Sequence, residues 1–159
     1  MVSQKAVIFN VMNKREAIIE DVRNYFKEKA ESFSINMAFL YGSWARGFPG
    51  QDSDIDIAVV FAKEQSSDDE LFEILTAISL DISKKIGLET DVIPVYKDFR
   101  KPMLYYNAIV LGIPVFVSDF KKFIDLKNEA IYQMEDFSIF GLNWQLEMAR
   151  KNMEELTRA

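Results

Sequence analysis

Two short runs in this sequence combine residues able to handle phosphate and a hard cation: Gly42-Ser43 and, after ten intervening residues, Asp54-Ile55-Asp56. Side chains alternate along a strand, so Asp54 and Asp56 share one side while Ile55, Ile57 and Val59 take the other. Two carboxylates about 5 Å apart on one face repel by about 3 kcal/mol at an effective dielectric of about 20. A divalent cation held between them removes that cost. Gly42 permits a tight turn with close backbone approach, and Ser43 offers a hydroxyl and an N–H to phosphate oxygens. Gly47 and Gly50 keep the connection short enough to bring Ser43 back beside the Asp pair. Arg46 adds a charge-assisted donor for phosphate; a surface pairing with Asp52 is its alternative use. Each feature alone is commonplace, because an isolated Asp-x-Asp most often caps a strand in solvent and a Gly-Ser most often makes a turn. Their spacing between two apolar strand patterns gives them weight.

The rest of the composition narrows the chemistry. The chain has neither cysteine nor histidine, which removes disulfides, thiolate nucleophiles, the commonest general base and the commonest transition-metal ligand. Carboxylates, hydroxyls, Lys, Arg and backbone groups remain, and their natural metal is Mg²⁺ or Mn²⁺. Lys and Arg number 19 against 25 Asp and Glu, a net charge of −6. That balance disfavours nucleic acid as the main partner, since such binding depends on cations that displace counterions. The start of the chain has no cleavable signal pattern, and no apolar run approaches the ~18–20 residues of a membrane span. A cytoplasmic protein without a membrane partner is expected.

The elements that must position these residues are legible from periodicity. Residues 14–30 carry helical spacing through Ile18, Ile19, Val22, Tyr25, Phe26 and Ala30; Ala6 to Met12 fits either a short strand or the lead-in to that helix. Ile35 to Tyr41 reads as a strand, Gly42 to Ser53 as a loop, and Asp54 to Phe61 as the next strand. A helix from about Asp69 to Ile86 follows Ser66, Ser67 and Asp68 as candidate caps, with Leu71, Phe72, Leu75, Ile78, Ile82 and Ile86 on one face and Gly87 as its stop. Thr90 to Tyr96 is a third strand, which Pro94 places at an edge or pairs irregularly. Pro102 opens a short helix to Leu111, Pro114 to Val117 is a fourth strand, and two helices follow, about Asp119 to Gln133 and Ser138 to Leu156. The expectation is one α/β (α+β) domain over 1–159, a small mixed sheet flanked by helices, with a catalytic core of about 14–118 and a C-terminal helical extension of about 119–157.

Gly42-Ser43, ten residues and Asp54-x-Asp56 together resemble the signature of the polymerase-beta-type nucleotidyltransferase superfamily. The fuller run Gly42-Ser-Trp-Ala-Arg-Gly47 with Ser53-Asp-Ile-Asp-Ile57 is similar to its minimal nucleotidyltransferase branch. The resemblance implies a third carboxylate on a neighbouring strand, and Asp91 in LETDVIPV stands at the matching place, with Glu89 in reserve on the same face. Weaker matches follow in LGIPVFVSD and in Tyr132 to Phe137. The resemblance covers Ile35 to about Phe137, with its specificity in some fifteen residues. It implies a two-metal displacement at the α-phosphorus of a nucleoside triphosphate, ATP first among them. Asp54 and Asp56 would hold the Mg²⁺ that bridges the triphosphate. Asp91 would hold or orient a second ion near the acceptor hydroxyl, and Gly42, Ser43 and Arg46 would bind phosphate.

The last helix speaks to the acceptor. Ile139, Leu142, Leu146, Ala149, Met153 and Leu156 follow alternating spacings of three and four, a coiled-coil seam. Phe137, Phe140, Trp144 and Met148 form a second stripe about 100° around. Such a helix is either buried within the domain or an interface, with a second copy or with another protein. The resemblance implies the antitoxin of a toxin–antitoxin pair, which transfers AMP to a tyrosine of a HEPN-type toxin. Transfer to a small molecule such as an aminoglycoside, and a non-catalytic antitoxin that only masks its partner, are the alternatives.

Overall fold

The computed structural model describes residues 3–50 and 52–158; Gln51 of the loop after Gly42 lies outside the described residues. The elements run α1 (Gln4–Lys29), β1 (Ile35–Tyr41), α2 (Gly42–Arg46), β2 (Ile55–Phe61), α3 (Asp68–Ile86), β3 (Thr90–Pro94), α4 (Pro102–Ile109), β4 (Ile113–Val117) and α5 (Phe120–Arg158). The strands form one mixed sheet in the order β3-β2-β1-β4. β1 is antiparallel to both β2 and β4, while β2 and β3 are parallel. Both strand prolines, Pro94 in β3 and Pro114 in β4, therefore sit on edge strands, where a missing N–H costs least.

Alternation along the strands sorts side chains onto two faces. Ile55, Ile57, Val59 and Val92 turn to one side and pack with Ile18, Val22 and Phe26 of α1 and with Ile78 and Ile82 of α3. Phe39, Tyr41, Ala58 and Ile93 turn to the other, against Tyr105, Ala108 and Ile109 of α4 and against Phe123, Leu126 and Ala130 of α5. The α/β (α+β) expectation of a small mixed sheet flanked by helices is met.

The helix limits show where local signals were strong. Ser67 caps α3 by accepting from Glu70 N–H at 3.1 Å, and Gly87 ends it at φ 81. Phe72, assigned from its spacing to the buried face of α3, is instead exposed; it lies about 100° from Leu71, which turns it to solvent. Ala6 to Met12 is helical: Ser3 caps α1, and the helix continues unbroken into its core-anchored half. The loop from Gly42 opens with the short helix α2.

Two C-terminal helices were expected, and α5 is one helix of 39 residues. Between Gln133 and Ser138 the chain has neither Gly nor Pro, so nothing stops propagation. Gly141, within it, costs only about 1 kcal/mol relative to Ala. The two apolar stripes of its outer half are exposed rather than buried, with Ile139 and Leu146 each at 61% and Leu156 at 78%. Among the described residues no helix is long and apolar enough to cross a membrane.

Candidate active site

Three strands bring one row of side chains together. Tyr41 of β1 lies opposite Asp56 of β2, and Asp56 lies opposite Asp91 of β3. The row sits where β1 ends and where β2 and β3 begin, on the face that α4 and α5 cover further along. Asp54, one residue before β2 and two before Asp56, is exposed, as is Asp91; Asp56 between them is half-buried. Burial first, then the charge of Asp91, then that of Asp54, push the Asp56 carboxyl above its ordinary range. Tyr41 is only 9% exposed. Burial, followed by the charges of Asp56 and Asp91, raises its phenol far above the usual tyrosine value, so it stays neutral. Concentrated negative charge is what the row presents.

The turn from β1 into α2 closes directly over that charge. Gly42 has φ +73, and the Asp56 carboxylate occupies the place a Cβ would take. Only glycine meets both demands without strain. Ser43 follows in the first turn of α2 and is half-buried; Gly47 at φ 81 ends the helix by donating to the Ser43 carbonyl. Arg46 is exposed in the last turn of α2 and, among the described residues, makes no ion pair with Asp52. Trp44, almost fully buried, donates its indole N–H to the Ser53 carbonyl at 2.9 Å, just before Asp54. The two halves of the motif are thereby fastened to each other.

Among the described residues no three acidic side chains are grouped so as to hold a metal ion as they stand. Asp54, Asp56 and Asp91 are neighbours on one face without being a closed cage. The donors fit a hard cation nevertheless: all are carboxylate oxygens, and Asp56 carries a charge that its surroundings penalise and an added cation would offset. A cavity of about 540 Å³ lined by Phe61, Lys63, Tyr96 and Arg100 opens at the opposite ends of β2 and β3 and is separate from this row.

Over residues 20–121 the sequence matches the family described as Polymerase beta, Nucleotidyltransferase. The chain belongs to that family. No match is found among curated proteins. In fold, this nucleotidyltransferase is similar to a chain of a toxin–antitoxin complex with AMP-PNP, at 15% identity over 86% of this chain and 98% of that one, TM-score 0.55. It is similar too to a chain from a tri-AMPylated Shewanella oneidensis HEPN toxin in complex with its MNT antitoxin, at 13% identity over 89% and 99%, TM-score 0.51. A third is from the toxin–antitoxin MntA-HepT, at 13% over 87% and 97%, TM-score 0.50.

Of the residues expected at the site, Gly42 meets Asp56, Asp54 lies close enough to raise the Asp56 pKa, Asp91 joins through strand pairing, and Ser43 follows Gly42 on α2. Arg46 is on the same short helix. Glu89 contributes its backbone instead, accepting from Ile55 N–H at 2.8 Å, with its side chain exposed. Tyr41 was missed. Its signal was available, since the strand from Ile35 ends at Tyr41 immediately before Gly42, but only the register of β1 on β2 shows that it abuts Asp56.

Proposed function

We propose that this nucleotidyltransferase moves AMP from ATP onto a tyrosine hydroxyl of a HEPN-type toxin and is the antitoxin of that pair. The observation that carries this reading is the acid row Asp54, Asp56 and Asp91 lying against the Gly42-Ser43 turn. The nucleotide and acceptor are supported by likeness of fold to chains from toxin–antitoxin complexes, one with AMP-PNP and one with a tri-AMPylated HEPN toxin. A macromolecular acceptor is supported by the two apolar stripes that the outer half of α5 leaves exposed. The setting proposed is the cytoplasm, where ATP and Mg²⁺ are supplied together.

In this reading Asp54, Asp56 and Asp91 would hold Mg²⁺, with room for two ions and with Mn²⁺ as a substitute. Bound there, the metal supplies charge neutralisation at the triphosphate and lowers the pKa of the acceptor hydroxyl. The protein's own groups do the rest. Backbone N–H groups around Gly42 and the Ser43 hydroxyl take phosphate oxygens, and the Arg46 guanidinium adds a charged donor. The acceptor oxygen bonds to the α-phosphorus as the bond to the bridging oxygen breaks, and pyrophosphate leaves. Asp91, on the exposed side of the row, takes up the acceptor proton. Positioning and charge neutralisation provide most of the acceleration in such a site.

The test is to mix the protein with α-labelled ATP, Mg²⁺ and a purified HEPN-type toxin. Label is expected on the partner and is lost when the partner's acceptor tyrosine becomes Phe. Inhibition of the partner at one-to-one stoichiometry without label would show a masking antitoxin instead. Label on an aminoglycoside and none on protein would move the acceptor to small molecules.

A further inference from the structure

Outside the matched residues, α1 hydrogen-bonds to α2 through the side chain of Arg15. Arg15 donates from Nε to the Trp44 carbonyl at 2.8 Å and from Nη2 to the Ala45 carbonyl at 2.9 Å. These two carbonyls belong to the last turn of α2, where a helix leaves its acceptors without intrahelical donors. The Ser43 carbonyl is already served by Gly47 and Phe48 N–H. A guanidinium satisfies two adjacent acceptors with one planar fork and places positive charge at the negative end of the helix.

We infer that Arg15 is a positioning residue that sets the phosphate-binding turn against the acid pair. This rests on the nucleotidyl-transfer reading above. Arg15 stands three and four residues before Ile18 and Ile19, so it lies on the face of α1 that is packed into the core. Its fork therefore ties α2 to a rigid support. Lys14 places its ammonium over the Trp44 ring at 5.5 Å and holds the same helix from the side. Trp44 in turn fixes Ser53, the residue before Asp54. The route from core to chemistry runs from α1 through Arg15 to α2, then to Gly42 and Ser43 on one arm and to Asp54 and Asp56 on the other. If Arg15 is lost, α2 is free to swing. The gap between phosphate donors and carboxylates then ceases to be set, and the group most affected is the triphosphate rather than the acceptor.

The experiment compares wild type, Arg15→Met, Arg15→Lys and Tyr25→Phe. The last removes the Tyr25 to Asp81 hydrogen bond of 2.9 Å lower on the same helix, and so perturbs α1 away from the site. Binding of α,β-methylene ATP with Mg²⁺ is measured by calorimetry below the melting transition of every variant, alongside the KM for each substrate. Arg15→Met is expected to weaken nucleotide binding about tenfold while the acceptor KM stays within about twofold. Arg15→Lys, which restores charge and one donor direction, recovers part of the loss, and Tyr25→Phe binds as wild type does. Nucleotide binding by Arg15→Met equal to wild type, or an equal loss in Tyr25→Phe, overturns the inference and leaves the proposed function standing. Absence of binding by wild type overturns both.

Discussion

Asp56 is met by Tyr41 on one side, by Asp91 on the other and by the backbone of Gly42 in front. Leu146, on the outer half of α5, stands open to solvent at 61% exposure. In the first region the surroundings leave one choice of residue and impose an electrostatic cost. In the second the surroundings impose nothing, and the side chain is apolar where solvent would favour a polar one. A residue disfavoured by its own fold points to something the fold does not contain. In the proposed function that component is a cation beside Asp56 and a partner's apolar surface along α5.

The largest expected effect breaks the first region. Asp54→Ala or Asp56→Ala should lower nucleotide transfer by about 10³-fold with an unchanged circular dichroism spectrum; near-normal turnover in either would remove the site assignment. Gly42→Ala comes next, because a methyl group must displace the Asp56 carboxylate and the backbone must keep φ +73. It should cost about 1–3 kcal/mol of stability in urea and about 10²-fold in transfer. A variant as active as wild type would show that the turn and the acid do not need to touch.

The second region is tested by Leu142→Glu with Leu146→Glu. Partner affinity should fall by more than about tenfold in calorimetry. Stability should move by no more than about 0.5 kcal/mol, since neither side chain is buried. A large drop in melting temperature would instead mean that α5 is covered by its own chain.

The smallest effect concerns pH. The folded-state pKa of Asp56 is raised, so the native protein binds its proton more readily than the unfolded chain does. Stability of the metal-free protein should therefore fall as pH rises through that raised value, and recover as pH drops back toward the ordinary carboxylate range. Asp56→Asn should remove this slope and raise the melting temperature at neutral pH. A flat profile in wild type would show that the row carries no electrostatic cost.

The parts of this architecture legible in the sequence are those written locally. Ser67 and Gly87 bracket α3 because capping depends on neighbours three residues away. Asp54 and Asp56 declare a shared side because alternation in a strand needs no partner. Tyr41 needed the pairing of β1 with β2, and Arg15 needed α1 to be laid against α2; neither contact leaves a trace in spacing. The break expected between Gln133 and Ser138 is not there. Burial rather than helix propensity changes at that point, where α5 leaves its sheet. Helix α2 was hidden because five residues are too few for periodicity to show.

From Phe137 to Arg158 the outer part of α5 is a stem about 33 Å long. In the proposed function, a toxin gripping that stem would be tethered to the enzyme, and its reactive hydroxyl would sample the catalytic face at an effective concentration in the millimolar range. Recognition and chemistry would then be separated in space. The Michaelis constant for the intact acceptor would report how well the stem is held. A short peptide bearing the same tyrosine would meet the same catalytic groups and still be a poor substrate.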